Sequence, residues 1–124
     1  MLKTIQTSKG APAIGPYSQA ICCNGLLFTS GQIPAAAENG EIVGTEIKAQ
    51  AKQVMKNISA ILEEAGVTFN HVIKTTCFLA DMDDFAAFNE IYSEYFISKP
   101  ARSCVAVKTL PKNVLCEVEV IAEL

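Results

Sequence analysis

The sequence holds one histidine, His71, and no C-x-x-C pair among its five cysteines, Cys22, Cys23, Cys77, Cys104 and Cys116. An odd cysteine count and a single imidazole argue against a disulfide framework and against a zinc site. No P-loop, G-x-G-x-x-G, H-E-x-x-H or G-x-S-x-G occurs, which removes the familiar phosphate-, dinucleotide- and metal-dependent readings. Basic runs are missing too. Ten Lys and Arg are scattered among thirteen Asp and Glu, for a net charge of −3. Nucleic-acid binding needs a cationic patch or stripe, and none is present. No apolar run reaches membrane length, and the opening M-L-K-T-I-Q-T-S-K-G has no apolar leader core. Cysteines in apolar, strand-like settings suit reducing surroundings, where they pack as small hydrophobes. These absences predict a cytoplasmic protein with neither a membrane nor a nucleic-acid partner.

Half of the 124 residues are hydrophobic and 19% are charged, which suits one globular domain with a core. No linker or repeat divides the chain, so residues 1–124 read as a single domain. Asn24-Gly25 lies between two apolar runs and predicts a hairpin, because a type I′ turn needs positive φ at both centres. Thr45 reads as an N-cap. A helix over residues 46–65 follows, with an apolar stripe through Ile47, Val54, Ile58 and Leu62 and with Gly66 behind it. His71 to Ala80 is rich in β-branched and aromatic residues and predicts a strand. Asp81 or Asp83 caps a second helix carrying Phe85, Phe88, Tyr92 and Phe96, which Lys99-Pro100 stops. Strands over 102–108 and 114–122 close the chain.

The predicted order β-β-α-β-α-β-β is α+β: a single mixed sheet with two helices on one face. The strands at 71–80, 102–107 and 114–122 read as apolar on both faces. Two helices cover one face, so the other calls for identical subunits, a closed homo-oligomer.

Arg102 stands at the mouth of the apolar run S-C-V-A-V. Along a strand it shares a face with Cys104 and Ala106. Two readings stay open from the residues alone. Arg102 is either a strand-end charge, solvated or paired with a nearby glutamate, or a planar fork waiting for a carboxylate. Glu117 alternates with Cys116 and Val118 in L-C-E-V-E-V-I-A. A carboxylate on a half-buried strand is costly unless paired or used, for instance to deprotonate a water. The alternative is an outward-facing strand glutamate, the preferred reading for Glu119. Cys104 reads first as packing, since His71 lies far along the chain. Tyr17, Ser30 and Asn89 are caps, turn residues or core hydroxyls unless something gathers them.

Taken together, A-I-G-P-Y-S-Q-A (residues 13–20), F-T-S-G-Q-I-P (28–34), V-I-K-T-T-C-F-L-A-D-M-D-D-F-A-A-F-N (72–89), P-A-R-S-C-V-A-V (100–107) and L-P-K-N-V-L-C-E-V-E-V-I-A (110–122) resemble the RidA/YjgF family over essentially the whole chain. The resemblance implies a chorismate-mutase-like fold assembled as a homotrimer, with active sites between subunits. It implies hydrolysis of 2-imino acids and their enamine tautomers, such as 2-iminobutanoate and 2-iminopropanoate, to 2-keto acids and ammonia. Such imines leak from enzymes that use pyridoxal phosphate. By the same resemblance Arg102 matches the substrate-carboxylate arginine and Glu117 the water-positioning glutamate. Tyr17, Ser30, Gly31, Asn89 and Cys104 match other cleft positions. No metal or cofactor is implied. Endoribonuclease, translation inhibitor and ligand-sensing or chaperone-like module are the rival labels the family carries.

Overall fold

A computed structural model describes residues 2–124. Six strands form one mixed sheet: β1 (Lys3–Ile5), β2 (Ala20–Cys23), β3 (Leu26–Thr29), β4 (Val72–Leu79), β5 (Ala101–Ala106) and β6 (Cys116–Glu123), in the order β1-β2-β3-β6-β4-β5. Only β4 and β5 run parallel, because α2 (Phe85–Tyr95) carries the chain between them. Helix α1 (Ile47–Ala65) connects β3 to β4, following a long loop over residues 30–46 and leading into a 3₁₀ turn at Phe69–His71. The hairpin β2–β3 turns at Asn24 (φ 52°) and Gly25 (φ 76°), the paired positive φ that a type I′ turn demands.

Both helices lie on one face. Cys116, Val118, Val120 and Ala122 of β6 alternate into the core, where they meet Val54, Met55, Ile58 and Leu62 of α1. On β4, Thr75, Cys77 and Leu79 share that face, and Phe88, Tyr92 and Phe96 pack over it.

The structure departs from the sequence expectation in several places. A short strand, β1, precedes the predicted pair and joins β2 at the sheet edge. Helix α1 is capped by Glu46, not Thr45: Glu46 has the extended backbone, and its carboxylate reaches the Ala49 N–H at 3.0 Å. His71 closes a 3₁₀ turn instead of opening β4, because its Nδ1 accepts the Thr68 N–H. Asp81 caps a second 3₁₀ turn, Met82–Asp84, which feeds α2, and Asp83 caps nothing. Helix α2 already ends at Tyr95, ahead of Lys99-Pro100. The last strand starts at Cys116, not Val114. Strand β5 is the sheet edge and is not buried within one chain: Ser103, Val105 and Ala106 are exposed. The face away from the helices is mixed rather than apolar, with Phe28, Phe78, Val105 and Ile121 interspersed with Glu117, Glu119 and Thr76.

Candidate active site

The predicted site residues fall into two groups on opposite faces of the sheet. Arg102 pairs with Thr75 across β4–β5, and Glu117 pairs with Phe78 across β4–β6. Thr75 and Phe78 are three residues apart, so their side chains leave the strand in opposite directions. Arg102 lies on the helix face and Glu117 on the open face.

The arginine group is built from side chains. Arg102 Nη1 donates to Asn89 Oδ1 at 2.7 Å. Its guanidinium carbon lies 4.6 Å from the Tyr92 ring centre and 5.5 Å from that of Phe85. Tyr92 is itself tethered, its hydroxyl sharing a 2.8 Å bond with Thr75. The ring faces stabilise the cation while leaving its planar edge free. Among the described residues the ion pairs are Lys9–Glu63 and Lys48–Glu90, so Arg102 has no carboxylate partner. Asn89 takes one of its five N–H donors. Within this chain the reading of Arg102 as half of a salt bridge therefore finds no partner among the described residues. Residues Asn89, Tyr92, Ser93, Phe96, Pro100 and Arg102 line a cleft of about 460 Å³ at the sheet edge.

Cys104 follows on the same face, opposite Cys77. Burial pushes its thiol up, against the lowering pull of Arg102 and of a bond from Cys77. Cys77, deeper, is pushed up to about 12 by burial. Burial thus favours the neutral thiol at both positions, and Cys104 packs beside Arg102 on the helix face.

The glutamate group is built from backbone. After β3 the ladder to β6 slips: Phe28 pairs with Ile121, yet Gln32 pairs with Val118, so three residues face two. That is a bulge. Thr29 Oγ1 accepts the Val120 N–H inside it, and Ser30 Oγ donates to the Ser18 carbonyl at 2.6 Å. The bulge lays the Gly31 backbone against Glu117. A Cβ at Gly31 would meet the Glu117 carboxylate oxygen and lie 2.8 Å from its carboxyl carbon, so only glycine fits over the carboxylate in this position. Burial, then the charge of Glu119, raises the Glu117 carboxyl above its ordinary value. Tyr17, Ser30, Gly31, Ile33, Pro111 and Glu117 line a hollow of about 300 Å³. Helix α1 fixes its walls from behind. Asn57 donates to the Ile33 and Ala35 carbonyls, and Gln50 accepts the Leu115 N–H.

Sequence reasoning missed Phe85 and Tyr92 as supports of Arg102, having read both only as an apolar helix stripe. Their i, i+4 and i, i+3 spacing from Asn89 carried the signal. It also missed Ile33 and Pro111. His71 joins neither group, and among the described residues no three His, Cys, Asp or Glu side chains converge.

The family model Endoribonuclease L-PSP matches residues 8–124. The chain belongs to the RidA/YjgF/L-PSP family. This Rid chain is 59% identical over 123 residues to a putative regulator, AldR, from Lactococcus lactis, covering 98% of each chain. It superimposes on a Rid-family protein of unknown function from Yersinia pestis with a TM-score of 0.97, at 46% identity and 100% of both chains. It superimposes on E. coli TdcF with bound serine at a TM-score of 0.93, with 41% identity and 98% of each chain. Among the described residues no helix is long and apolar enough to cross a membrane.

Proposed function

We propose that this Rid chain hydrolyses 2-imino acids to 2-keto acids and ammonia, as a single-domain homotrimer whose sites join the Arg102 group of one subunit to the Glu117 group of the next. The observation that carries the reading is Arg102: a half-buried guanidinium held by Asn89 and two rings, with its planar edge free and no carboxylate opposite. That geometry suits a substrate carboxylate gripped by two parallel N–H bonds. The serine bound to TdcF is a ligand of the same outline, a carboxylate beside a nitrogen-bearing carbon. The division between faces supports assembly, since one chain cannot present both groups to one small molecule.

In this mechanism Arg102 fixes the carboxylate and so places the imine carbon. Glu117 takes a proton from the attacking water, and its raised pKa makes it a better base than an ordinary carboxylate. Tyr17, Ser30 and the Gly31 backbone close the cavity around the nitrogen and the water. The carbinolamine gains a proton on nitrogen and collapses to keto acid and ammonia. A protonated imine is electrophilic enough that no thiolate is needed, which agrees with a protonated Cys104. The five free cysteines favour a reducing compartment, the cytoplasm.

The test is keto-acid release from freshly generated 2-iminobutanoate, wild type against Arg102→Ala. Turnover is expected to fall to the uncatalysed rate in a variant with unchanged circular dichroism and oligomeric state. Full turnover by Arg102→Ala overturns the assignment. Ligand binding without turnover on any imine supports a sensing module instead, and RNA cleavage that survives purification and Arg102→Ala supports a nuclease.

A further inference from the structure

The cleft around Arg102 holds a second cation that the mechanism does not use. Lys99 lines it beside Ile97, Pro100 and Arg102. Lys99 closes the turn from α2 into β5, its N–H donating to the Phe96 carbonyl at 3.1 Å. Its φ is +56°, the left-handed region that glycine and asparagine fill readily and a lysine occupies only at a cost. Nothing in the turn itself asks for a long cationic side chain.

The acidic residues nearby are turned away. Helix α2 and the residue that follows it face the cleft with Asn89, Tyr92, Ser93 and Phe96, all uncharged. Its two glutamates lie on the other side: Glu90 pairs with Lys48 of α1, and Glu94 acts on the same ammonium. Among the described residues no carboxylate is within ion-pair distance of Lys99 or Arg102. On a chain of net charge −3 this is a local reversal of sign: two basic residues, Lys99 and Arg102, line a cleft whose other walls include Tyr92 and Phe96. One carboxylate satisfies Arg102 and leaves Lys99 without a partner.

We infer that the cleft selects 2-imino acids carrying a second carboxylate on the side chain, with Arg102 taking the first acid group and Lys99 the second. The inference rests on the imine-hydrolysis reading and makes Lys99 its specificity residue. Water adds across C=N and ammonia leaves as before, and the distal carboxylate takes no part in the chemistry.

The experiment compares kcat/KM for 2-iminoglutarate and 2-iminobutanoate, each released by an amino-acid oxidase, in wild type, Lys99→Met and Lys99→Arg. The preference for 2-iminoglutarate is expected to fall about fivefold in Lys99→Met, the scale of one solvent-exposed charge pair, and to return in Lys99→Arg. It also shrinks as salt rises. An unchanged ratio in Lys99→Met overturns the inference. If wild type hydrolyses no imine, the imine reading fails first, and calorimetry with the stable 2-oxoglutarate and 2-oxobutyrate decides the role of Lys99 alone. Tighter 2-oxoglutarate binding that is lost in Lys99→Met upholds the lysine contact, and equal binding of both acids overturns it.

Discussion

The two halves of the candidate site are held in different ways. Arg102 is placed by side chains: Asn89 at its nitrogen, the Tyr92 and Phe85 rings at its faces, and Thr75 behind Tyr92. All but Thr75 sit on α2 or on β5, elements held by regular ladders and packing. Glu117 is placed by backbone: a bulge where β3 ends, a glycine that admits the carboxylate, and hydroxyls at Thr29 and Ser30 that pin the loop. A cation needs only rigid contacts that leave its donors free. A carboxylate meant to take a proton needs partial burial without a strong donor, and backbone supplies that shape without neutralising it.

The sharpest way to break this comparison is to separate the halves genetically. Arg102→Ala and Glu117→Gln are each expected to be inactive. If one subunit gives the arginine and its neighbour the glutamate, chains mixed by co-expression rebuild intact sites. Random mixing at equal amounts restores about a quarter of them, because each site draws each half independently from a symmetric assembly. Keto-acid release from the mixture is the measurement. A mixture as inactive as its parents puts both groups in one chain, against the opposite faces seen here.

The second test strikes the backbone half alone. In Gly31→Ala the new methyl overlaps the Glu117 carboxylate, which is the mobile end of a side chain and moves aside without unfolding the strand. Melting temperature is expected to change little. Imine hydrolysis is expected to fall about a hundredfold, the usual loss when a reacting group is displaced by an ångström. Binding of a carboxylate ligand at Arg102 should persist. Loss of binding along with turnover shows that Gly31 supports the fold and not the base.

How much was legible beforehand follows the same division. Local chemistry could be read. Asn24-Gly25 announced its hairpin, the α1 stripe announced a helix ending at Gly66, and the strand period put Arg102 and Cys104 on one face. Non-local register could not. The opposition of Arg102 to Glu117 depends on how β5 and β6 each pair with β4, and no pattern within either strand encodes that. The Gly31–Glu117 contact depends on one extra residue between the Phe28 and Gln32 pairings, where β3 ends. Strand β1 escaped notice because three residues with two exposed show no alternation. Its place is set by the non-local ladder Lys3–Cys22 to Ile5–Ala20 with β2, and Gln19 ties down the segment that follows through Thr7 and Ala11. The edge exposure of β5 likewise follows from sheet order, not from its apolar composition.

The smallest effect separates the halves by pH. It acts on the Glu117 half, because burial and Glu119 raise that carboxyl's folded pKa above the unfolded value. For a raised acid the stabilising contribution is complete below the ordinary carboxylate range and is lost as pH rises through the folded pKa. Near neutral pH the ionised Glu117 therefore opposes folding. Glu117→Gln is expected to melt slightly above wild type near neutral pH, and the gap should close as pH falls below the carboxylate range. Melting curves across that range are the check. A gap that stays constant with pH means that Glu117 titrates alike in folded and unfolded chains. The carboxylate would then be an ordinary surface charge, and the backbone half would have shaped no base at all.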